Sequence, residues 1–114
     1  MSNATLLPGT LDLLVLKAVS LGTEHGYGIL LRIQRASGGA LAIEQGALYP
    51  ALFRLESQGL IAAEWGVSDN NRRAKFYTLT RTGKARLAKD LGDWNRLVEA
   101  MGAVLGATRA DLLA

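Results

Sequence analysis

Apolar residues recur at helical spacing through the first third of the chain. Those between residues 10 and 21 fall on one helical face and are followed by Gly22, which predicts a first helix over residues 10–21. A second helix begins at Gly26 and ends before Gly38. The apolar run at residues 41–43 is too short for a helix and predicts a small strand.

The second half of the chain alternates between helical and strand patterns. Leucines at spacings of four and three predict a third helix over residues 45–58. Residues 60–67 and 75–80 are typical of two antiparallel strands, and the polar residues between them favour a turn. A long last helix is predicted over residues 82–105, with apolar positions spaced 4, 3, 4, 3 and 4 as in a heptad stripe.

This order predicts a protein that is mainly α with a small β-hairpin: a winged helix-turn-helix followed by a C-terminal dimerisation helix. Residues 6–80 are expected to form the DNA-binding winged helix, and residues 81–114 the dimerisation helix and tail of the same structural unit. Helix one is expected to support the terminal stripe in a homodimer. The expected dimerisation residues are Leu11, Leu14, Leu87, Leu91, Trp94, Val98, Met101 and Leu105.

Charge points to a polyanionic partner more by its position than by its amount. The net charge is only +3, but seven basic residues and no acidic ones lie between Asn70 and Lys89. This run begins in the predicted hairpin, directly after the helix-turn-helix pattern. Such placement favours binding to nucleic acid.

Several classes of chemistry are excluded by residue content. The chain has no cysteine, and His25 is its one histidine, which rules out thiolate and multi-histidine metal sites. No paired carboxylates or Gly-rich phosphate loop are recognisable, so we expect neither an enzyme nor a cofactor or metal. No signal peptide or membrane-spanning run is visible, so a cytoplasmic protein is expected.

Several short motifs, taken in order, resemble the PadR family of bacterial transcriptional regulators. They are Leu-Pro-Gly-Thr-Leu-Asp at residues 7–12, His-Gly-Tyr-Gly at 25–28, Gly-Ala-Leu-Tyr-Pro-Ala-Leu at 46–52 and Asn-Arg-Arg-Ala-Lys-Phe-Tyr at 71–77. The single terminal helix resembles the compact branch of that family. The resemblance implies a homodimer, often a repressor, with the third helix in the major groove and the hairpin on the flanking minor groove or phosphates. It also implies that some relatives release DNA when they bind small aromatic or drug-like molecules.

The start of the third helix is expected to face DNA. Gln45 can pair with a base edge and Tyr49 can donate to a phosphate, while Gly46 and Ala47 permit close approach. The alternative is that Tyr49 packs on the domain surface and Gln45 is only solvated. The full predicted DNA-binding set is Tyr27, Gln45, Gly46, Ala47, Tyr49, Pro50, Arg54, Asn70, Asn71, Arg72, Arg73 and Lys75.

Several members of this set have open alternatives. Arg72 and Arg73 would point to different faces of a strand, so that one reaches DNA while the other holds the wing. Arg54 would reach a phosphate or bond to Gln58 one turn on. Tyr27 would contact the DNA backbone or be buried.

The terminal stripe has two interpretations beyond simple packing. It predicts a dimer interface, and with it a palindromic double-stranded DNA operator. Trp94, Val98 and Met101 are also candidates for a pocket that binds a small aromatic effector. The competing function for the whole chain is a winged-helix protein-interaction module whose basic wing is structural only.

Overall fold

The computed structural model describes residues 9–113. The predicted class is confirmed: the chain is mainly α-helical with a small antiparallel sheet. The predicted limits at residues 6 and 114, and the motif residues 7 and 8, lie outside the described residues. The elements are α1 (Thr10–Ser20), β1 (Glu24–His25), α2 (Gly26–Ala36), α3 (Gln45–Ser57), β2 (Ile61–Val67), β3 (Arg73–Leu79), α4 (Arg81–Leu105) and α5 (Arg109–Leu113).

One apolar core joins the first three helices to the sheet. Its fully buried side chains include Leu16 of α1, Ile29 of α2, Leu48 and Leu52 of α3 and Ile61 of β2. Each helix contributes the face on which its apolar residues recur. The core therefore fixes α2 and α3 as a helix-turn-helix against α1 and the sheet.

The hairpin is the wing of the domain. In β2 and β3, Ile61 pairs with Leu79 at the base and Val67 with Arg73 near the tip. Residues 68–72 close the turn, in which the Ser68 amide donates to the Arg72 carbonyl at 2.8 Å. Asn71 adopts a left-handed conformation with φ of 57°, which asparagine tolerates better than most residues.

The strand predicted at residues 41–43 is wrong. These residues form an irregular segment before α3, and Ile43 is buried in the core while Leu41 packs against it. Their apolar character reflects packing and not strand pairing. The third strand is instead β1, whose Glu24 and His25 pair with Tyr77 and Phe76, giving the sheet order β1-β3-β2.

Helix α4 is joined to the base of the wing through Thr80 and Gly83. The Thr80 hydroxyl accepts from the Gly83 amide at 3.0 Å, which caps the helix, and donates to the Gly59 carbonyl at 2.7 Å. Gly83 is buried, and a Cβ built on it would overlap the Leu60 carbonyl oxygen. Only glycine therefore allows the first turn of α4 to lie this close to the chain that enters β2.

The rest of α4 extends away from the domain. The helix has 25 residues and is about 37 Å long at the usual rise, and it gives the molecule dimensions of 62 × 35 × 20 Å. Among the described residues, no helix is both long and apolar enough to cross a membrane.

Candidate nucleic-acid interface

The first two turns of α3 present a surface free of core packing. Gln45, Gly46, Ala47, Tyr49 and Pro50 are all exposed, whereas the opposite face of the helix is buried in the core. A Cβ added to Gly46 would meet no atom within 4 Å, so the backbone itself is open to approach there. Five of the residues predicted to bind DNA therefore share one accessible surface.

Tyr49 packs on the domain surface, which is one of its two interpretations, and it also stays partly accessible. Its ring lies against the start of α2, because a Cβ on Gly26 would be 2.8 Å from Tyr49 Cε1. The exposed fraction of Tyr49 is still 48%, and that of Tyr27 is 52%. Tyr49 thus packs on the domain and remains accessible, and Tyr27 is not buried.

His25 is the N-cap of α2. Its Nδ1 accepts from the Gly28 amide at 3.1 Å, and its ring meets Phe76 edge-on at a centroid distance of 5.5 Å. The single histidine therefore holds the start of the helix that carries Tyr27.

Arg32 is bound internally although it lies beside the candidate interface. Its Nη1 donates to the carbonyls of Ala18 at 2.9 Å and Gly22 at 2.6 Å, and its Nη2 lies 3.4 Å from Glu24 Oε2. These bonds fix the turn between α1 and β1. The charge of Arg32 is consequently matched within the domain.

On the wing, two cationic side chains lie near the exposed ring of Trp65. The Arg73 guanidinium carbon lies 4.4 Å from the centre of the Trp65 ring, and Lys75 Nζ lies 5.9 Å from it. Lys75 Nζ is also 3.5 Å from Glu56 Oε1 of α3. Arg72 is exposed, and its guanidinium has no ion-pair partner within residues 9–113.

A groove of about 920 Å³ connects the wing to the helix-turn-helix. Tyr27 and Arg35 of α2 and Tyr49 of α3 line one side, and Asn70 and the two wing arginines line the other. Sequence reasoning missed Arg32, Arg35 and Trp65 of this groove. The spacing of four between Tyr27, Leu31 and Arg35 places them on one face of α2 and could have identified Arg35.

Arg54 lies outside this groove. Its Nη2 is 2.9 Å from Asp12 Oδ1 on α1, so its guanidinium pairs with Asp12 and not with the Gln58 side chain. The ion pair joins α3 to α1, and half of the Arg54 side chain remains exposed.

The basic residues between Asn70 and Lys89 fall into two groups, one on the wing and one on α4. Arg86 pairs with Asp90 at 3.0 Å, and Lys89 with Asp93 at 3.1 Å. Hydrogen bonds from Lys89 and Arg96 lower the pKa of Asp93. Local acids thus offset the charges of Arg86 and Lys89, whereas Arg72 and Arg73 of the wing line the groove without an acidic partner among the described residues.

The apolar stripe of α4 has two parts. Leu87 packs against the domain core together with Leu11 and Leu14 of α1. The remaining predicted positions are exposed or nearly so: Leu91, Trp94, Val98, Met101 and Leu105. Leu97 and Val104, exposed at 52% and 67%, widen this face beyond the heptad positions that the sequence indicated.

The effector pocket expected at Trp94, Val98 and Met101 stays a prediction, and a cleft among the described residues includes one of these three side chains. An open cleft of about 380 Å³ lies between the start of α1 and α4, lined by Leu13, Arg86, Asp90, Trp94 and Leu97 among others. Trp94 lines this cleft, but Val98 and Met101 do not.

Comparison with known proteins agrees with this geometry. Residues 15–89 match the family model described as the transcriptional regulator PadR-like family. The chain is 31% identical over 100 residues to an uncharacterised protein of Lysinibacillus sphaericus, covering 87% of this chain and 91% of that protein. It is 39% identical over 57 residues to a transcriptional regulator of Mycobacterium tuberculosis, covering 50% of this chain and 52% of that protein.

Solved structures give the same assignment. A PadR family transcriptional regulator from Eggerthella lenta superposes with a TM-score of 0.73 at 32% identity, covering 88% of this chain and 85% of that one. A PadR family transcription regulator from Clostridium difficile has a TM-score of 0.73 at 28% identity, covering 85% and 99%. These relatives are regulators of transcription and not enzymes. The chain therefore belongs to the PadR-like family of transcriptional regulators, which are DNA-binding winged-helix proteins.

Proposed function

We propose that the protein is a homodimer that binds a palindromic double-stranded DNA operator and represses transcription from it. The observation that carries the proposal is the groove between the helix-turn-helix and the wing, which is lined by Tyr27 and Tyr49 on the helix-turn-helix and by Arg72 and Arg73 on the wing. The exposed start of α3 presents side chains that can reach base edges. The wing arginines form no ion pair among the described residues and can attract phosphates, so the two features together suit a duplex.

The two parts of the interface have different roles in this proposal. Gln45 contacts a base edge in the major groove, and Gly46 and Ala47 let the helix backbone approach it. The Tyr27 and Tyr49 hydroxyls bond to phosphates. Asn70, Asn71, Arg72, Arg73 and Lys75 hold the wing against the flanking backbone, and Arg54 keeps α3 in place through Asp12.

The homodimer is supported by the exposed apolar face of α4. From Leu91 to Leu105, large apolar side chains lie along one side of a helix that extends beyond its own core. Contiguous apolar surface of this kind is typical of an interface. A second copy related by a two-fold axis would cover it and would place two DNA-binding surfaces on two half-sites.

The test is binding to duplex DNA from upstream of the gene that encodes the chain, measured by mobility shift over a range of salt concentrations. We expect affinity to fall steeply with salt, because cations on the wing displace counterions from phosphates. Footprinting should show two symmetric half-sites, and sedimentation should give a dimer. A chain that binds no duplex at low salt would instead favour the alternative, a winged-helix module for protein interaction.

Repression is tested separately, by the activity of a reporter gene. A dimer that occupies a promoter operator blocks polymerase by occlusion, so a reporter under that promoter should be more active when the regulator is deleted. Lower reporter activity after deletion would make the protein an activator.

A small aromatic effector is a second proposal, favoured by the position of Trp94 in the cleft against α1. Planar phenolics or cationic dyes bound there should change the fluorescence of Trp94 in a saturable way and weaken operator binding. The Trp65→Phe variant removes the other tryptophan and makes the readout specific. A flat response over a broad panel would argue against this kind of effector.

A further inference from the structure

Phe53 is an aromatic residue exposed on the helix proposed to enter DNA. Its exposed fraction is 72%, the highest of any large apolar side chain described between residues 9 and 80. It lies outside the hydrophobic core cluster, although the neighbouring Leu52 and Leu55 are fully buried in it. Packing within the described chain therefore does not account for an aromatic residue at this position.

The helical spacing places Phe53 in line with the approachable start of α3. Gly46, Pro50 and Phe53 follow each other at intervals of four and three, so they lie along the face opposite the core. Phe53 is about 10 Å from Gly46 along the helix axis. This distance is within the width of the major groove, which is about 12 Å.

The neighbours of Phe53 hold α3 from both sides. Arg54 is bonded to Asp12 of α1, and Glu56 lies 3.5 Å from Lys75 of the wing. The helix is thus fixed to the elements that flank it, with Phe53 on the face between them. An apolar group on a fixed helix is suited to recognise an apolar feature of the duplex.

The major-groove edges of the four bases carry one such feature, the 5-methyl group of thymine. We propose that Phe53 contacts a thymine methyl group and gives the protein a preference for thymine at one position of each half-site. This inference rests on the proposed DNA-binding function. It assigns an apolar contact to α3 in addition to the hydrogen bonds expected from Gln45.

The experiment begins with duplexes selected from a random-sequence pool by the wild-type protein and by Phe53→Ala. In the wild-type selection we expect an invariant thymine at one position of each half-site, and in the variant selection we expect that preference to disappear. Replacing that thymine with deoxyuridine removes only the methyl group. It should weaken wild-type binding about fourfold, the change that corresponds to burial of one methyl-sized group, and leave Phe53→Ala binding unchanged.

The controls separate this contact from other roles of the residue. Phe53→Leu keeps an apolar side chain and should retain part of the thymine preference, whereas Leu112→Ala removes another exposed apolar group and should retain all of it. Wild-type binding that is indifferent to deoxyuridine at every thymine would overturn the inference while leaving the proposed function intact. A monomeric Phe53→Ala protein would overturn it too, because the face would then contact a second copy. Failure of the wild type to select any duplex would refute the proposed function itself.

Discussion

The guanidinium of Arg73 lies over the ring of Trp65, with its carbon 4.4 Å from the ring centre. Both residues are on the wing, and Trp65 pairs directly with Lys75, two residues from Arg73 along β3. The contact is therefore a diagonal cross-strand pair, which the register of the hairpin brings together on one face. The contact keeps the Arg73 guanidinium beside the groove in the absence of DNA.

Trp65→Ala should weaken operator binding about two- to fivefold, because an exposed cation–π contact contributes about 0.5–1 kcal/mol and Arg73 would have to be ordered on binding. The matched variant Trp65→Phe keeps an aromatic face and should retain most of the affinity. Titration by fluorescence anisotropy of labelled duplex measures both. Equal affinities for Trp65→Ala and the wild type, with unchanged circular dichroism, would show that the contact serves only the wing.

Arg72 should act through phosphate charge. Since its guanidinium has no ion-pair partner among the described residues, Arg72→Ala should reduce the slope of log affinity against log salt by about 0.9. Arg109→Ala on α5 removes the same charge away from the groove and should leave the slope unchanged. If both variants give the wild-type slope, the wing residue makes no phosphate contact.

Gly83→Ala should destabilise the fold by about 1–3 kcal/mol, because the new Cβ would overlap the Leu60 carbonyl oxygen and force α4 away from β2. Gly92→Ala is the matched control in the same helix. The nearest atom to its new Cβ would be Arg96 Nη1 at 3.5 Å, an ordinary contact. That variant should be as stable as the wild type or up to about 1 kcal/mol more stable. Urea unfolding compares the two, and equal midpoints would contradict the role given to Gly83.

Polar substitution of Leu91, Trp94 and Val98 together should convert the dimer to monomers. Buried aromatic and aliphatic residues at an interface often contribute about 2 kcal/mol or more, so the dissociation constant should rise at least about 30-fold. Arg96→Ala with Glu99→Ala changes the side of α4 opposite to this face and should leave the dimer intact. Sedimentation velocity over a range of concentrations distinguishes them, and a triple variant that remains dimeric would move the interface elsewhere.

Tyr77 should make stability fall at alkaline pH. Burial raises the pKa of its hydroxyl above the ordinary value, and the charge of Glu56 and the proximity of Tyr49 raise it further. The folded pKa is then higher than the unfolded pKa, so this contribution is fully present below about pH 10 and is lost as pH rises through the folded pKa.

Urea unfolding of the wild type and Tyr77→Phe between pH 9 and about pH 11.5 measures this effect. The variant should lose less stability over that interval. Glu56→Gln should show an intermediate slope, because it removes one of the causes of the shift. Parallel pH profiles for the wild type and Tyr77→Phe would contradict the assignment.

The helices and the hairpin could be predicted because each depends on local periodicity and turn chemistry. The strand β1 could not be predicted, because it has only two residues, Glu24 and His25. They pair with Tyr77 and Phe76, more than 50 positions away. The apolar run at residues 41–43 misled the prediction for a related reason. Ile43 is apolar because it is buried in the core, and a short buried strand would show the same apolar residues, so the sequence alone does not distinguish the two.

The candidate interface could be outlined from the sequence, but the contacts within it could not. Motif and charge indicated α3 and the wing, but the partners of Arg54 and Arg73 depend on tertiary contacts. The Arg54 pair with Asp12 spans 42 positions, and the stacking of Arg73 on Trp65 depends on the hairpin register. The heptad spacing identified one face of α4. It could not show that Leu87 covers the domain core while Leu97 and Val104 are exposed.

The connection between β3 and α4 has a mechanical consequence. Thr80 is the one residue between Leu79 and Arg81, and its hydroxyl is bonded at once to the wing base and to the first turn of the helix. These bonds join the first turn of α4 closely to the base of the wing. We therefore expect a tilt of α4 in the proposed dimer to move the wing and α3 with it, so that the packing of Leu91 and Trp94 would affect the distance between the two half-sites.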